Sequence, residues 1–120
     1  MRLPNSDSVR IDRRKIIEYL LNPTHRYGAS KARFFSEFGF GVENWEELAA
    51  ALRDHAGRNS VVRRKETPFG PRFEVDGVLE TPSGEKPSVR SVWQMDEGEM
   101  APRLITAYPL EVADDQDQGT

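Results

Sequence analysis

Cysteine is missing from all 120 residues, which excludes disulfides and thiolate metal sites together. No long apolar run occurs, and the N-terminus carries no apolar signal-like segment, so a cytoplasmic protein without a membrane span is expected. Also absent are a Gly-rich phosphate loop of Walker or Rossmann type, a G-x-S-x-G elbow and a pair of histidines at helical ligand spacing. Metal and nucleotide-cofactor chemistry fall in rank, and neither a metal nor a cofactor is expected. A strong excess of positive charge is lacking as well. The formal net charge is −3, whereas nonspecific nucleic-acid binders are usually strongly basic.

That net charge hides an asymmetry. Glu111, Asp114, Asp115 and Asp117 stand in the last ten residues without a single base, so removing them from −3 leaves residues 1–110 at +1. Bases cluster in that body at Arg10 to Lys15, Arg26 to Arg33 and Arg63 to Lys65, which leaves room for a local phosphate-sized site. Leu, Ile, Val and Phe fill roughly a fifth of the chain, just above the level below which disorder is the better reading. The length suits one domain over 1–110, followed by an acidic disordered tail over 111–120. The tail serves solubility, or competes with phosphate for the basic site.

The first half reads as helices and the second as strands, the pattern of an α+β domain. Ile16, Ile17, Leu20 and Leu21 recur at helical steps, with Asp12 as N-cap and Asn22-Pro23 as the stop. Ser30 is the predicted cap of a second, short helix, whose Phe34, Phe35 and Phe38 share a core-facing side until Gly39 and Gly41 end it. Asn44 with Glu47 resembles a capping box ahead of a third helix carrying Trp45, Leu48, Ala49, Leu52 and Ala56. From Ser60 the period becomes that of strands, around Val61-Val62, Phe73 to Leu79, Val89 to Met95 and Leu104 to Tyr108. Turn residues at Pro68 to Pro71, Pro82 to Gly84 and Glu97-Gly98 separate them, which predicts a four-stranded antiparallel meander covered on one side by about three helices.

The chemistry-bearing candidates are His25, Lys31 and Arg33 after the Asn22-Pro23 stop, and Arg90, Thr106 and Tyr108 on the last two strands. The set suits metal-independent RNA cleavage, in which a 2′-hydroxyl attacks its neighbouring phosphorus to give a 2′,3′-cyclic phosphate. Histidine serves as acid or base because its ordinary pKa of about 6.5 lies near working pH. Lys31 and Arg90 would stabilise the growing phosphate charge, Thr106 and Tyr108 would position substrate, and Arg26 and Arg33 would add contacts to it. Each has a plainer alternative. His25 can be a turn residue, Lys31 and Arg33 a solvated helix face, and Arg90 an exposed strand residue. His55 reads as a cation near a helix C-terminus, Trp93 as core rather than a stacking platform, and Arg63-Arg64-Lys65 as edge-strand protection.

The segments YLLNPTHRYGASKARFFSEFGF, WEELAAALRDHA and SVRSVWQMDEGEMAPRLITAYPL resemble a family of small bacterial proteins catalogued as a domain of unknown function. Its signature runs N-P-x-H-P-x-G-x-x-K-A-x-F-F, with a closing T-A-Y-P. The resemblance extends from Arg2 to Leu110 and implies kinship with the barnase, EndoU, colicin and RelE-like (BECR) fold group, which contains many metal-independent ribonuclease toxins. It therefore implies a BECR-like fold, an RNA substrate and a small cognate antitoxin or immunity-like partner. By position it implies roles for His25, Gly28, Lys31, Arg90, Thr106, Tyr108 and Pro109. Where the family has proline after the histidine, this chain has Arg26. The backbone restriction that proline imposes on its predecessor is lost, and Arg26 is free to add a phosphate contact.

The leading expectation is thus a toxin-like endoribonuclease. One alternative is a noncatalytic protein-interaction module on the same fold. Another is an antitoxin or immunity protein that covers a basic toxin with its acidic tail.

Overall fold

Asp12 starts the first helix, α1, by accepting a hydrogen bond from Arg14 N at 2.9 Å, the bond its cap position predicts. Only Arg13–Lys15 is α-helical. Ile16–Leu20 then widens into a π-helical segment, closed by Leu21 N donating to Ile16 O at 2.8 Å. Three- and four-residue periodicity cannot reveal such a widening, and π segments recur at functional sites. The computed structural model describes residues 1–110; the acidic tail expected over 111–120 lies outside the described residues.

Helix α2 (Ala29–Glu37) departs from its predicted start. Gly28 holds the N-cap position, and Ser30 is the second helical residue, exposed, with no capping bond. Its end is as expected. Gly39 takes a φ of 99°, while Phe40 N reaches Phe35 O at 3.2 Å and Gly39 N reaches Ser36 O at 3.1 Å. This paired closure needs the left-handed residue that glycine supplies. Phe40 then packs on Phe35 at 6.1 Å between ring centroids. Phe35 and Phe40 are buried, while Phe34 and Phe38 are half-buried and stack at 5.1 Å. Before α3 (Trp45–Arg58), Asn44 Nδ2 donates to Glu47 Oε1 and Asn44 Oδ1 accepts from Gly41 N, both at 2.7 Å. The Asn44–Glu47 pair therefore exists, but it pins the preceding turn rather than capping an α3 amide.

Strands β1 (Val61–Thr67), β2 (Gly70–Val78), β3 (Ser88–Gln94) and β4 (Arg103–Pro109) form one antiparallel meander in chain order. The α+β architecture is the predicted one. The helices cover one face, where Phe73, Val75, Val89, Trp93 and Ala107 meet Ile16, Leu20, Phe35, Leu48 and Leu52 in one core. Trp93 is wholly buried there. Alternation along β2 and β3 turns Arg72, Glu74, Asp76 and Arg90 to the other face. Arg63, Arg64 and Lys65 lie exposed on the edge strand β1.

His55 corrects one expectation. It lies in the last turn of α3 as expected, but it is not placed as a cation: it is 1% exposed, packed beneath the sheet. Trp93 Nε1 donates to Ser91 Oγ at 2.8 Å, Ser91 Oγ lies 2.9 Å from His55 Nδ1, and His55 Nε2 lies 2.9 Å from Val89 O and 3.1 Å from Gly77 O. Because carbonyls only accept, the ring proton sits on Nε2, and Ser91 donates to Nδ1. Burial lowers the His55 pKa, against weaker raising effects of the Gly77 and Val89 carbonyls and of Asp76 and Asp54. Among the described residues no helix is long and apolar enough to cross a membrane.

Candidate functional site: a cationic cleft around Tyr19

The loop between α1 and α2 is organised around His25. Asn22 Oδ1 accepts from Thr24 N at 3.0 Å and from Thr24 Oγ1 at 2.8 Å. His25 Nδ1 then accepts from the amides of both Tyr27 and Gly28, each at 3.0 Å, and His25 O accepts from Ala29 N at 3.0 Å. The imidazole thus caps the turn that leads into α2, satisfying the amides of Tyr27 and Gly28, which precede the first helical residue, Ala29. With Nδ1 an acceptor twice over, the neutral ring carries its proton on Nε2. A histidine between a helix stop and a helix start is therefore both a cap and a donor with one nitrogen to spare.

Gly28 is fixed by close approach. A Cβ there would lie 2.2 Å from Tyr19 O and 2.9 Å from the Tyr19 ring. Tyr19 is the hub of the region, and sequence reasoning missed it because a half-apolar position in a short helix reads as packing. Its hydroxyl meets Thr106 Oγ1 of β4 at 2.9 Å. His25 packs edge-on against its ring at 4.9 Å. The ammonium groups of Lys15 and Lys31 lie 5.1 and 5.5 Å from its ring centroid, within cation–π range. Lys31 Nζ also donates to Tyr27 O at 3.1 Å. The one signal that pointed here was the basic cluster from Arg10 to Lys15.

Lys15, Tyr19 and His25 border a cleft of about 640 Å³ whose lining also includes Arg10, Arg14 and Arg103, with Asp12 and Glu18 as its acids. Several of the bases are partly balanced. Arg103 grips Asp96 at 2.6 Å, which lowers the Asp96 pKa, Arg10 lies 3.8 Å from Glu99, and Arg14 lies 3.5 Å from Glu18. The cleft is thus suited to an anion: Lys15 on its lining, like Lys31 on the same tyrosine, is held over an aromatic ring and meets no carboxylate within ion-pair distance among the described residues.

Of the sequence candidates, His25, Lys31 and Thr106 converge on Tyr19. Arg90 and Tyr108, opposite one another across β3 and β4, form a second group. Arg90 clasps Asp76 through two bonds of 2.7 and 2.9 Å and reaches Glu74 at 3.1 Å. The Asp76 bonds raise the Arg90 pKa above its ordinary value against a smaller opposing effect of burial, and Tyr108 and Glu74 add to the rise. The two groups meet on β4, where Thr106 and Tyr108 are two residues, roughly 7 Å, apart. Arg26 is exposed, with its guanidinium 5.4 Å from the Tyr27 ring. Arg33 is exposed on α2.

Comparison with known proteins adds kinship. In structure, the chain is similar to one chain of a contact-dependent growth inhibition toxin–immunity protein complex from Klebsiella pneumoniae 342, with a TM-score of 0.67 and 17% sequence identity, over 83% of this chain and 98% of that one. At such identity the likeness is one of fold. No curated protein matches the sequence. The family model described as a domain of unknown function, DUF6883, matches residues 2–111, and with that span the chain belongs to the DUF6883 family.

Proposed function

We propose that the protein is a toxin-type endoribonuclease, acting in the cytoplasm, that cleaves RNA without a metal by 2′-hydroxyl attack and leaves a 2′,3′-cyclic phosphate. The observation that carries this reading is the gathering of His25, Lys15, Lys31 and Thr106 around Tyr19, which together with His25 and Lys15 lines an arginine-bearing cleft. Donors fixed before reaction are worth most where charge grows in the transition state. His25 takes part as a donor, Nε2–H to a non-bridging phosphate oxygen, because Nδ1 is committed to the loop. Lys15 and Lys31 neutralise the phosphate, and one of them returns a proton to the departing 5′-oxygen. Glu18, a carboxylate of the same cleft, accepts the 2′-hydroxyl proton as the P–O2′ bond forms. Arg26, Arg33, Arg90 and Tyr108 contact the flanking substrate. The likeness to one chain of a toxin–immunity complex supports, by fold alone, a place in such a system, as toxin or as immunity protein.

The test is incubation of the purified protein with total bacterial RNA in EDTA, beside a Lys15→Ala, Lys31→Ala variant, followed by analysis of fragment ends. Discrete fragments with 2′,3′-cyclic phosphate, made by the unaltered protein alone, support the reading. Intact RNA from several sources contradicts it.

One observation favours a second reading, a noncatalytic module that binds a small antitoxin or immunity-like protein. Arg90 is already compensated by Asp76 and Glu74, which suits a polar contact surface better than a phosphate site. On that reading, a partner complex survives Lys31→Ala unchanged and RNA stays whole.

A further inference from the structure

The sheet has two outer edges, and they are treated differently. Along β4, Arg10 N donates to Pro102 O at 2.8 Å and Leu104 N to Arg10 O at 2.9 Å, and Tyr19 bonds Thr106. Along β1, among the described residues, only the start is engaged. Val61 N donates to Met1 O at 2.7 Å, and Arg2 forms an antiparallel bridge with Ser60. Further along, Glu66 stands opposite Pro71 and Arg64 opposite Phe73. Pro71 has no N–H, and its carbonyl accepts from Met95 N on the β3 side at 2.9 Å. The Glu66↔Pro71 pair is therefore one without hydrogen bonds between its strands, and alternation makes Arg64↔Phe73 another. The N–H and C=O of Arg64 and Glu66 consequently point away from the sheet. Among the described residues they have no backbone partner outside β1 and β2.

We propose that this edge is a docking site for an extended, acidic segment of a partner protein, which continues the sheet antiparallel to β1 beside Arg64 and Glu66. Unpaired strand edges are templates for added strands, and strand addition is a common mode of peptide recognition. Met1 and Arg2 already occupy the first positions in that sense, so an added strand would continue where they stop. Charge selects the occupant. Arg63, Arg64 and Lys65 are consecutive and exposed. Arg64 is met by Glu66 at 2.7 Å, Arg63 approaches Glu74 only at 3.9 Å, and Lys65 has no carboxylate within ion-pair distance among the described residues.

A second copy is a poor occupant. Antiparallel self-pairing about Arg64 sets Arg63 against Lys65, and pairing about Lys65 sets two Lys65 side chains together while its Arg64–Glu66 contacts only replace the one each strand already makes at 2.7 Å; like charges directly opposite are destabilising. The cations that defend the edge against its own kind thus admit an acidic strand. Val62, 54% exposed, and Phe69, 70% exposed, offer apolar contact toward either end. An RNA strand would use the cations but leave the outward carbonyls without donors matched to their spacing of roughly 7 Å.

The experiment follows backbone amide exchange by NMR in the whole chain, with three probes: a seven-residue peptide alternating valine and glutamate, the same peptide with lysine for glutamate, and oligouridine. Millimolar acidic peptide is expected to slow exchange at Arg64 and Glu66, and the basic peptide is not. Glu66→Pro removes an outward N–H that the β1–β2 ladder does not use, and proline is tolerated at such edge positions. It should weaken the acidic peptide about tenfold, the scale of one lost hydrogen bond. Arg64→Glu with Lys65→Glu should reverse the preference between peptides even if the proline variant misfolds. Absence of protection by the acidic peptide, equal protection by both peptides, or stronger protection of the same amides by oligouridine would overturn the proposal. None of these outcomes depends on RNA cleavage in the cleft.

Discussion

Tyr19 Oη and Thr106 Oγ1 lie 2.9 Å apart although 87 residues separate them in the chain. This one bond ties the π-helical segment of α1 to the outermost strand and sets the Tyr19 ring where His25, Lys15 and Lys31 gather. Tyr19→Phe keeps the ring and removes the bond. It should lower stability by about 1 kcal/mol, the usual net worth of such a bond, and reduce RNA cleavage. Thr106→Val should do much the same. In chemical denaturation the double variant should lose clearly less than the sum of the two, because both changes delete one interaction.

Gly28→Ala forces a methyl group against the Tyr19 carbonyl, 2.2 Å away, with the ring at 2.9 Å. Overpacking of this kind costs about 1–3 kcal/mol, visible as a lower denaturant midpoint. Gly57→Ala is the control. Its Cβ would meet nothing nearer than Ser6 Oγ at 4.0 Å, within α3, and it should gain about 0.5–1 kcal/mol.

His55 predicts a pH dependence with a definite sign. Its folded-state pKa lies below the ordinary 6.5 because burial disfavours the charged ring. As pH falls below 6.5, the unfolded chain takes up a proton that the folded chain refuses. The contribution is complete above that value and is lost as pH falls toward the folded pKa, below which the slope disappears. Denaturation of wild type beside His55→Gln across this range should show the acid-side loss in the wild type only. Parallel pH profiles would contradict it.

Arg90→Ala leaves Asp76 without its guanidinium and Glu74 with only the longer 3.9 Å contact to Arg63. On a half-exposed face this should cost about 1 kcal/mol. Arg90→Lys should recover only part of it, because an ammonium cannot reproduce the two-bond grip of the guanidinium. In RNA cleavage, Arg90→Ala should weaken the protein less than Lys31→Ala, since the Arg90 charge is already compensated.

Strand order and helix number were legible because binary pattern and turn residues repeat over many positions, so local errors average out. Trp93 and the Arg63 to Lys65 edge were legible for the same reason. The candidate site was only half legible. Asn22, His25, Gly28 and Lys31 fall within one short loop-and-helix segment, and local chemistry marks them. Tyr19 was hidden because its partner Thr106 is distant in sequence, and because a π-helical widening breaks the spacing by which helix faces are read. Ser30 drew attention as the conventional cap, while a histidine ring holds the capping amides instead. His55 sits in a helical position that suits a surface cation equally well. Only the sheet packed above it, with Ser91 and Trp93, reveals a buried neutral ring.

The most direct measurement is RNA cleavage in EDTA by His25→Asn beside the wild type, with amide exchange followed at Tyr27 and Gly28. Asparagine places Oδ1 where His25 Nδ1 accepts those two amides, but it has no atom at Nε2. The expected result is retained protection of both amides with cleavage lowered about 10²–10³-fold, the scale of losing one preorganised donor. Full cleavage by a folded His25→Asn protein would contradict the account and leave His25 as a cap alone.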